Sequence, residues 1–479
     1  MKMPIGGKWV DRDDKIEVLD PYDGSLVDTV PSGNEKDVLA AVASAVRGFE
    51  IMRRLPTHRR VDILRKTANR IAENQEKFAK VIAREASKTI REARKEAFRC
   101  GNTLQVSADE ARRIVGETIN FDAVPGSENR VGYYYRFPIG VIAAITPFND
   151  PLNLVAHKLG PAFAGGNSVV LKPATVTPLS ALMLAEAFVD SGLPPEALNV
   201  VTGYGDKIGD VLVTDPRVRM VSFTGGPEAG EAIAKKAGLK KIGMELGSNS
   251  PVIVMADCDF DLAVECNVSG AFWAAGQNCI GVQRIYIERP IYDRYVKAFV
   301  ERTKKYKIGP KLDEECDMGP MITEKEAIRI EGWVNEAVKA GAKLLTGGGR
   351  KGAVYEPTVL TRVPETARVG CEEVFAPVVS LYPVDSLEEA VRKSNEPDYG
   401  LLAGIFTSNL DNAFYAIREM DVGGIVVNDS SDYRVDQMPF GGVKRSGLGR
   451  EGIQFALQEM TEPKMVCFNL QMKGIGDRG

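Results

Sequence analysis

The chain has 479 residues, 44% hydrophobic and 26% charged, enough apolar side chains for at least two cores and therefore two or more domains. Its 61 Lys and Arg against 65 Asp and Glu leave a net charge of -4, which gives nucleic acid or an anionic membrane no electrostatic purchase and makes a small molecule the expected partner. The seven cysteines include no CxxC and no close pair, so neither a disulfide framework nor a zinc knuckle is indicated and no metal is expected.

The opening segment MKMPIGGKWVDRDD lacks the apolar stretch of a signal peptide, and no run approaches the roughly 20 apolar residues of a membrane span. A cytoplasmic location is expected. Between 35 and 115, apolar residues such as Val61, Leu64, Ala68 and Ile71 recur at helical spacing between charged faces and predict helices that cover another layer. TINFDAVPGSENRVGYYYRFP then offers two strand-like arms around a turn. From 138 to 247 the pattern becomes short apolar runs separated by helices: GVIAAI, SVVLKP, LNVVTG, RMVSFTG and KKIGMELG. Five strands joined by four crossovers predict a doubly wound parallel sheet of the Rossmann-like, nucleotide-binding kind. PVIVMAD, QRIYIERP, APVVSLYPV, LLAGIFTS and GGIVVND, with helices between them, predict a second α/β domain. The expected division is 1–116 with 137–247 for the dinucleotide-binding domain, 248–461 for the catalytic domain, and 117–136 with 462–479 as a small β element. Exposed strands of that last kind pair either with another subunit or within the chain, and spacing does not choose between the two.

With two histidines in the chain, His58 and His157, imidazole-dependent triads and most catalytic zinc sites have few places to reside. His157, in PLNLVAHKLG, reads as a packed helix residue. The glycine-rich turns GYGDKIG (Gly203, Gly205, Gly209) and TGGPEAG (Thr224, Gly225, Gly226, Gly230) each follow a strand and open a helix, where free N–H groups face a pyrophosphate. Neither matches GxGxxG, and each alone is as easily a steric accommodation; two in one sheet point to a dinucleotide. Asn149 in TPFNDP lies just past a strand end, where ligands of such sheets bind. Lys172 in LKPA, Glu245 in MELG and Cys279 in GQNC also stand at strand ends or in loops.

In this order, TPFN, KPA, FTGG, ELG, GQNC, EEVFAP and MPFGGVKRSGLGREG make the chain closely similar to the aldehyde dehydrogenase superfamily over essentially its whole length. The resemblance implies an oxidoreductase acting on an aldehyde with NAD or NADP, built from a cofactor domain, a catalytic domain and an oligomerisation element, and assembling as a homodimer or homotetramer. It makes Cys279 the nucleophile, the Asn149 amide and the Cys279 backbone N–H the oxyanion donors, and Glu245 the base that hydrolyses the thioester. Cofactor contacts fall to Thr146, Pro147, Phe148, Lys172, Ala174, Thr175, Gly205, Gly209, Phe223, Thr224, Gly225, Gly226, Gly230, Leu246, Glu373 and Phe375. Thr175 stands where many relatives carry a Glu that repels the 2′-phosphate of NADP, so NAD, NADP or both stay open, with NAD favoured.

Departures from the family pattern, such as Ser248 and Asn249 after ELG, remove no reacting group. Relatives that acylate coenzyme A generally lack a glutamate at the position of Glu245, so its presence argues for a free acid product. The alternatives are a coenzyme A-acylating semialdehyde dehydrogenase and a non-catalytic binding protein on the same fold. NDSSDYRVDQMPFGG and PFNDPLNLVAHK resemble a subgroup acting on lactaldehyde, glyceraldehyde phosphate and phosphonoacetaldehyde. Arg99 and Arg434 are expected near the substrate, with Asp150 and Asn278 flanking it. Pairing of Arg434 with Asp432 or Asp436 is the competing reading.

Overall fold

The structure, a computed structural model, describes residues 1–471. The last part of the expected oligomerisation element, 472–479, lies outside the described residues. Two parallel-stranded sheets dominate the chain, one for each predicted alternation. The first has six strands in the order Gly447–Leu448, Lys241–Glu245, Val218–Thr224, Val141–Ile145, Ser168–Lys172 and Leu198–Val200. The five predicted strands are parallel, while Gly447–Leu448 joins the edge antiparallel. The chain thus returns to the edge of the first sheet about 200 residues after leaving it.

Val141–Ile145 and Ser168–Lys172 are buried at every position, as continuous apolar runs in a doubly covered sheet should be. Alternate residues feed two cores. Ile142 and Ala144 pack with Leu64, Phe78 and Leu104 of the N-terminal helices. Val141 and Ala143 pack on the other face with Val38, Ala41 and Leu212. The helix Ile90–Ala111 starts at a capping box between Thr89 and Glu92, which satisfies two backbone groups that would otherwise be orphaned. It lies against the helix Asn153–Gly165, every residue of which is buried.

The second sheet has seven strands, in the order Lys343–Thr346, Thr358–Thr361, Val378–Val384, Arg284–Glu288, Pro251–Val254, Leu402–Phe406 and Gly424–Val427. The first two are additions to the five expected. A three-stranded sheet outside both is formed by Thr461–Asn469, Arg130–Pro138 and Glu117–Ile119. The tail strand pairs antiparallel along the whole of Arg130–Pro138 in its own chain, leaving Tyr133, Tyr135, Met465 and Phe468 exposed. Among the described residues no helix is long and apolar enough to cross a membrane.

Candidate active site

The carboxyl ends of the first sheet open into a cleft of about 900 Å³ that reaches the second sheet, the location where doubly wound sheets bind ligands. Thr146, Pro147, Phe148 and Asn149 line it just beyond Val141–Ile145, and Lys172 and Ala174 beyond the neighbouring strand. Gly205 and Gly209 contribute from one helix start, and Phe223, Thr224, Gly225 and Gly226 from the next strand-to-helix turn. Glu245 and Leu246 close the row, while Cys279, Glu373 and Phe375 face them from the second sheet. Phe148 and Phe375 meet edge to face with centroids 5.7 Å apart.

The glycines test whether a dinucleotide fits. A Cβ built at Gly209 would meet nothing within 4 Å, and at Gly205 and Gly226 the nearest atoms stand 3.9 and 3.7 Å away. Side chains at these positions would fill the cleft rather than strike its walls, so their absence makes room for a ligand close to the backbone. Two expected contacts fall elsewhere. Gly230 lies against the Leu246 side chain, which a Cβ there would strike, so it is a packing glycine. Thr175 is not part of the lining and donates its hydroxyl to the Gly203 carbonyl at 3.0 Å.

A second cavity of about 330 Å³, a funnel, adjoins the cleft. Its walls include all four residues expected near the substrate, Arg99, Asp150, Asn278 and Arg434, together with Asp432, weighed from the sequence only as a partner of Arg434, and Lys95 and Tyr433, which the sequence did not single out. Asn149, Leu154, Gln277 and Cys279 line both cavities. Cys279 and Asn149 therefore stand on the partition between them. Gln277 belongs to the same GQNC segment; its amide oxygen accepts the Ile322 N–H at 2.9 Å and its nitrogen donates to the Ala274 carbonyl at 3.2 Å.

The backbone before Cys279 is forced into an uncommon shape. Ala274, Ala275 and Gly276 have φ of 49°, 55° and 66°, and Phe375 across the cleft has 45°. A left-handed conformation at a residue with a side chain costs on the order of 1–3 kcal/mol and persists only where surrounding structure imposes it.

Charge around the partition is unevenly shared. Burial, then the neighbouring Glu451, pushes the Glu245 carboxyl well above the usual carboxylate range, and its Oε2 has no hydrogen-bond partner. Burial alone would raise Glu451 as well, but Lys158 and Arg434, each at 3.1 Å, hold it down to about 2. Arg434 thus pairs with Glu451, not with Asp432 or Asp436, and its guanidinium stacks 3.6 Å from the Phe440 ring centroid. Asp436 instead accepts from Arg99 at 2.9 Å and from His157 at 3.1 Å. Burial lowers the pKa of His157, so the packed imidazole is a neutral donor, as expected of a helix histidine. Burial also pushes the Cys279 thiol up to about 12, with Arg434 opposing and Glu373 and Glu245 adding to the rise. Burial moves Glu373 up to about 7 and Lys172 down to about 8.

The sequence pattern of the aldehyde dehydrogenase family matches residues 9–466. Aspartate-semialdehyde dehydrogenase 1 of Pseudomonas canavaninivorans is 51% identical over 95% of this chain and 97% of its own. The crystal structure of aldehyde dehydrogenase 21 from Physcomitrella patens, in complex with the reaction product succinate, superposes with a TM-score of 0.95 at 40% identity, covering 100% of this chain and 99% of the other. Glyceraldehyde-3-phosphate dehydrogenase GapN from Methanocaldococcus jannaschii, complexed with NADP, gives 0.93 at 38% identity over 96% and 100%. With the family pattern running through both sheets and every loop that lines the cleft, the chain belongs to the aldehyde dehydrogenase family, oxidoreductases that act on aldehydes with a nicotinamide cofactor.

Proposed function

We propose that the protein oxidises a small aldehyde with an oxygenated or anionic far end to the free carboxylic acid, through a covalent intermediate on Cys279. The observation that carries this reading is the partition: Cys279 and Asn149 line both the cleft and the funnel. An aldehyde entering the funnel meets the thiol with the cofactor cleft directly behind it.

The rest follows from what the side chains can do. The Cys279 thiol, at about 12, is protonated at neutral pH and gives its proton to solvent water as sulfur bonds to the aldehyde carbon and the carbonyl oxygen becomes the oxyanion. The Asn149 amide and the Cys279 N–H hold the oxyanion of the thiohemiacetal, each worth about 3 kcal/mol when well placed. The nicotinamide, when bound, supplies the hydride acceptor, and the carbon is left as a thioester. Glu245 then takes a proton from the attacking water, the carbon–sulfur bond breaks, and the thiol and free acid are restored. With the cofactor bound, Lys172 and Glu373 would hold ribose hydroxyls, and the turn at Gly226 would take the pyrophosphate.

For the far end of the substrate, the funnel offers Arg99 and Arg434. Both already carry carboxylate partners, Asp436 and Glu451, but the Arg434 Nε is buried without one, a donor that a carboxylate or phosphate oxygen would satisfy. The relatives support an anionic far end, since one solved structure contains the product succinate, another is named for glyceraldehyde-3-phosphate, and a relative matched by sequence is named for aspartate semialdehyde. Thr175 brings no carboxylate against a 2′-phosphate, so NAD and NADP both suit the cleft. The exposed aromatic face of the three-stranded sheet suits an interface with a second copy of the chain.

The test is a screen of short hydroxy-, carboxy- and phospho-aldehydes with NAD and NADP, run on the protein and on Cys279→Ala. The variant should bind cofactor and oxidise nothing; turnover by Cys279→Ala would overturn the assignment.

A further inference from the structure

Three loops that bear on the proposed chemistry, each far from the others in sequence, are held by one face of one helix. Along Ile90–Ala111, Glu92, Glu96, Arg99 and Thr103 recur at spacings of four, three and four residues, which sets them in a single row. The Glu92 Oε1 accepts the Ala274 N–H at 2.8 Å, in the left-handed turn that leads to Cys279. The Glu96 Oε1 accepts the N–H groups of Leu152 and Asn153 at 2.8 and 3.0 Å, three and four residues beyond Asn149, and Thr103 donates to Asn153 Oδ1 at 2.8 Å. Lys88 joins Glu96 to Asp150, the residue following Asn149. Arg99 anchors Asp436, two residues beyond Arg434. Glu92, Glu96 and Lys88 are each at most 4% exposed.

Two carboxylates buried this deeply are costly unless their bonds are worth more than apolar packing would be. Glu96 holds the start of the helix Asn153–Gly165, and Glu92 the turn that follows Phe260–Phe272. One oxygen of each accepts from backbone N–H groups near a reacting side chain, while the other is taken by Thr89 in the capping box for Glu92 and by Lys88 for Glu96; bonds to the backbone fix its position more tightly than a contact between side chains does.

We infer that this polar face is a template that sets the distance between Cys279 and the Asn149 amide, with Glu92 and Glu96 as positioning residues for the first covalent step. Glu92 fixes the nucleophile side and Glu96 the oxyanion side. The inference rests on the proposed roles of Cys279 and Asn149.

The test uses the full-length protein, pre-steady-state appearance of reduced nicotinamide, and alkylation of Cys279 by iodoacetamide. Glu96→Gln, nearly isosteric, should slow the burst by about 10- to 100-fold, the effect of misplacing a reacting group by about 1 Å. Its alkylation rate should stay within about twofold, since the thiol itself is untouched. Glu92→Gln should slow both. Arg94→Gln, which removes exposed ion pairs to Glu76 and Glu314 on the other side of the helix, should lower the melting temperature and leave both rates unchanged. Should Glu96→Gln fail to fold, Thr103→Val removes the bond to Asn153, whose N–H the Glu96 carboxylate also holds, and should show the same selective loss. Bursts within about twofold of the parent in Glu92→Gln and Glu96→Gln, or in Thr103→Val, overturn the template. So do equal losses of burst and alkylation in Glu96→Gln that track its melting. Cys279→Ala separates the levels: if it keeps the burst, the catalytic reading fails, whereas if it loses the burst while the Glu variants keep theirs, only the template fails.

Discussion

Replacing Glu451 by Gln tests how the site divides charge between two adjacent carboxyl groups. Glu451 binds Lys158 and Arg434, both at 3.1 Å. At an effective dielectric of about 20, each contact represents a gross attraction of about 5 kcal/mol, most of it offset by the desolvation of the ions. Removing the anion strands two buried cations, a loss of about 3–5 kcal/mol in stability. The catalytic consequence has the opposite sign. Glu451 raises the Glu245 pKa, while Lys158 and Arg434 lower it, so the substitution deletes a repelling charge and frees two attracting ones. Glu245 should ionise at lower pH, and the rising limb of kcat, where thioester hydrolysis limits turnover, should move toward acid by about one unit, equal to about 1.4 kcal/mol. The measurement is the pH profile of kcat beside denaturant unfolding of the same variant. A limb that stays in place or moves to higher pH would refute the assignment of Glu245 as the titrating base.

Glu245→Gln should give one burst of reduced nicotinamide and then a turnover lower by about 10²-fold or more, the range of a lost general base; equal steady-state rates would exclude that role. Gly209→Leu places a side chain where nothing stands within 4 Å, so the fold should persist while cofactor affinity, measured by fluorescence titration, falls at least about tenfold; undiminished binding would show that the dinucleotide lies elsewhere. Arg434→Met should lower kcat/KM for carboxylated or phosphorylated aldehydes by about 10- to 100-fold, the loss of a charge-assisted bond, and much less for neutral aldehydes of the same length. Because Arg434 also lowers the thiol pKa, the contrast between the two substrate classes carries the result.

The strands of the parallel core were legible because continuous apolar runs buried on both faces have few other uses, and Asn149, Lys172 and Glu245 could be placed at strand ends by the same logic. The cleft-lining glycines were only half legible. Gly209 and Gly230 look alike in sequence, each within a turn that opens a helix, yet one borders open space and the other packs under Leu246. A missing side chain says that something is close to the backbone, not whether it is a ligand or a leucine. The charge partners were the least legible. Arg434 was weighed against Asp432 and Asp436, its neighbours in sequence, whereas the loop geometry delivers Glu451 at 3.1 Å. The return strand Gly447–Leu448 was missed because two residues carry no periodicity, and its pairing with Met244 and Glu245 is set wholly by tertiary contacts.

That return strand places the two carboxyl groups in the same neighbourhood and gives their asymmetry a structural origin. Glu245 ends a central strand, and pairing with Gly447 fixes its backbone. Glu451 follows four residues further along the returning chain and meets Lys158, from the fully buried helix, and Arg434, from the funnel. Both cations are thereby committed to the carboxylate for which no chemical role is proposed. Glu245 receives their attraction only at second hand, against the repulsion of Glu451 and the cost of burial. A base held by a direct salt bridge would be too acidic to take a proton from water near neutral pH. One buried beside no cations at all would stay protonated. By spending Lys158 and Arg434 on Glu451, the fold keeps positive charge close to Glu245 without pairing it, the arrangement that a hydrolytic carboxylate needs.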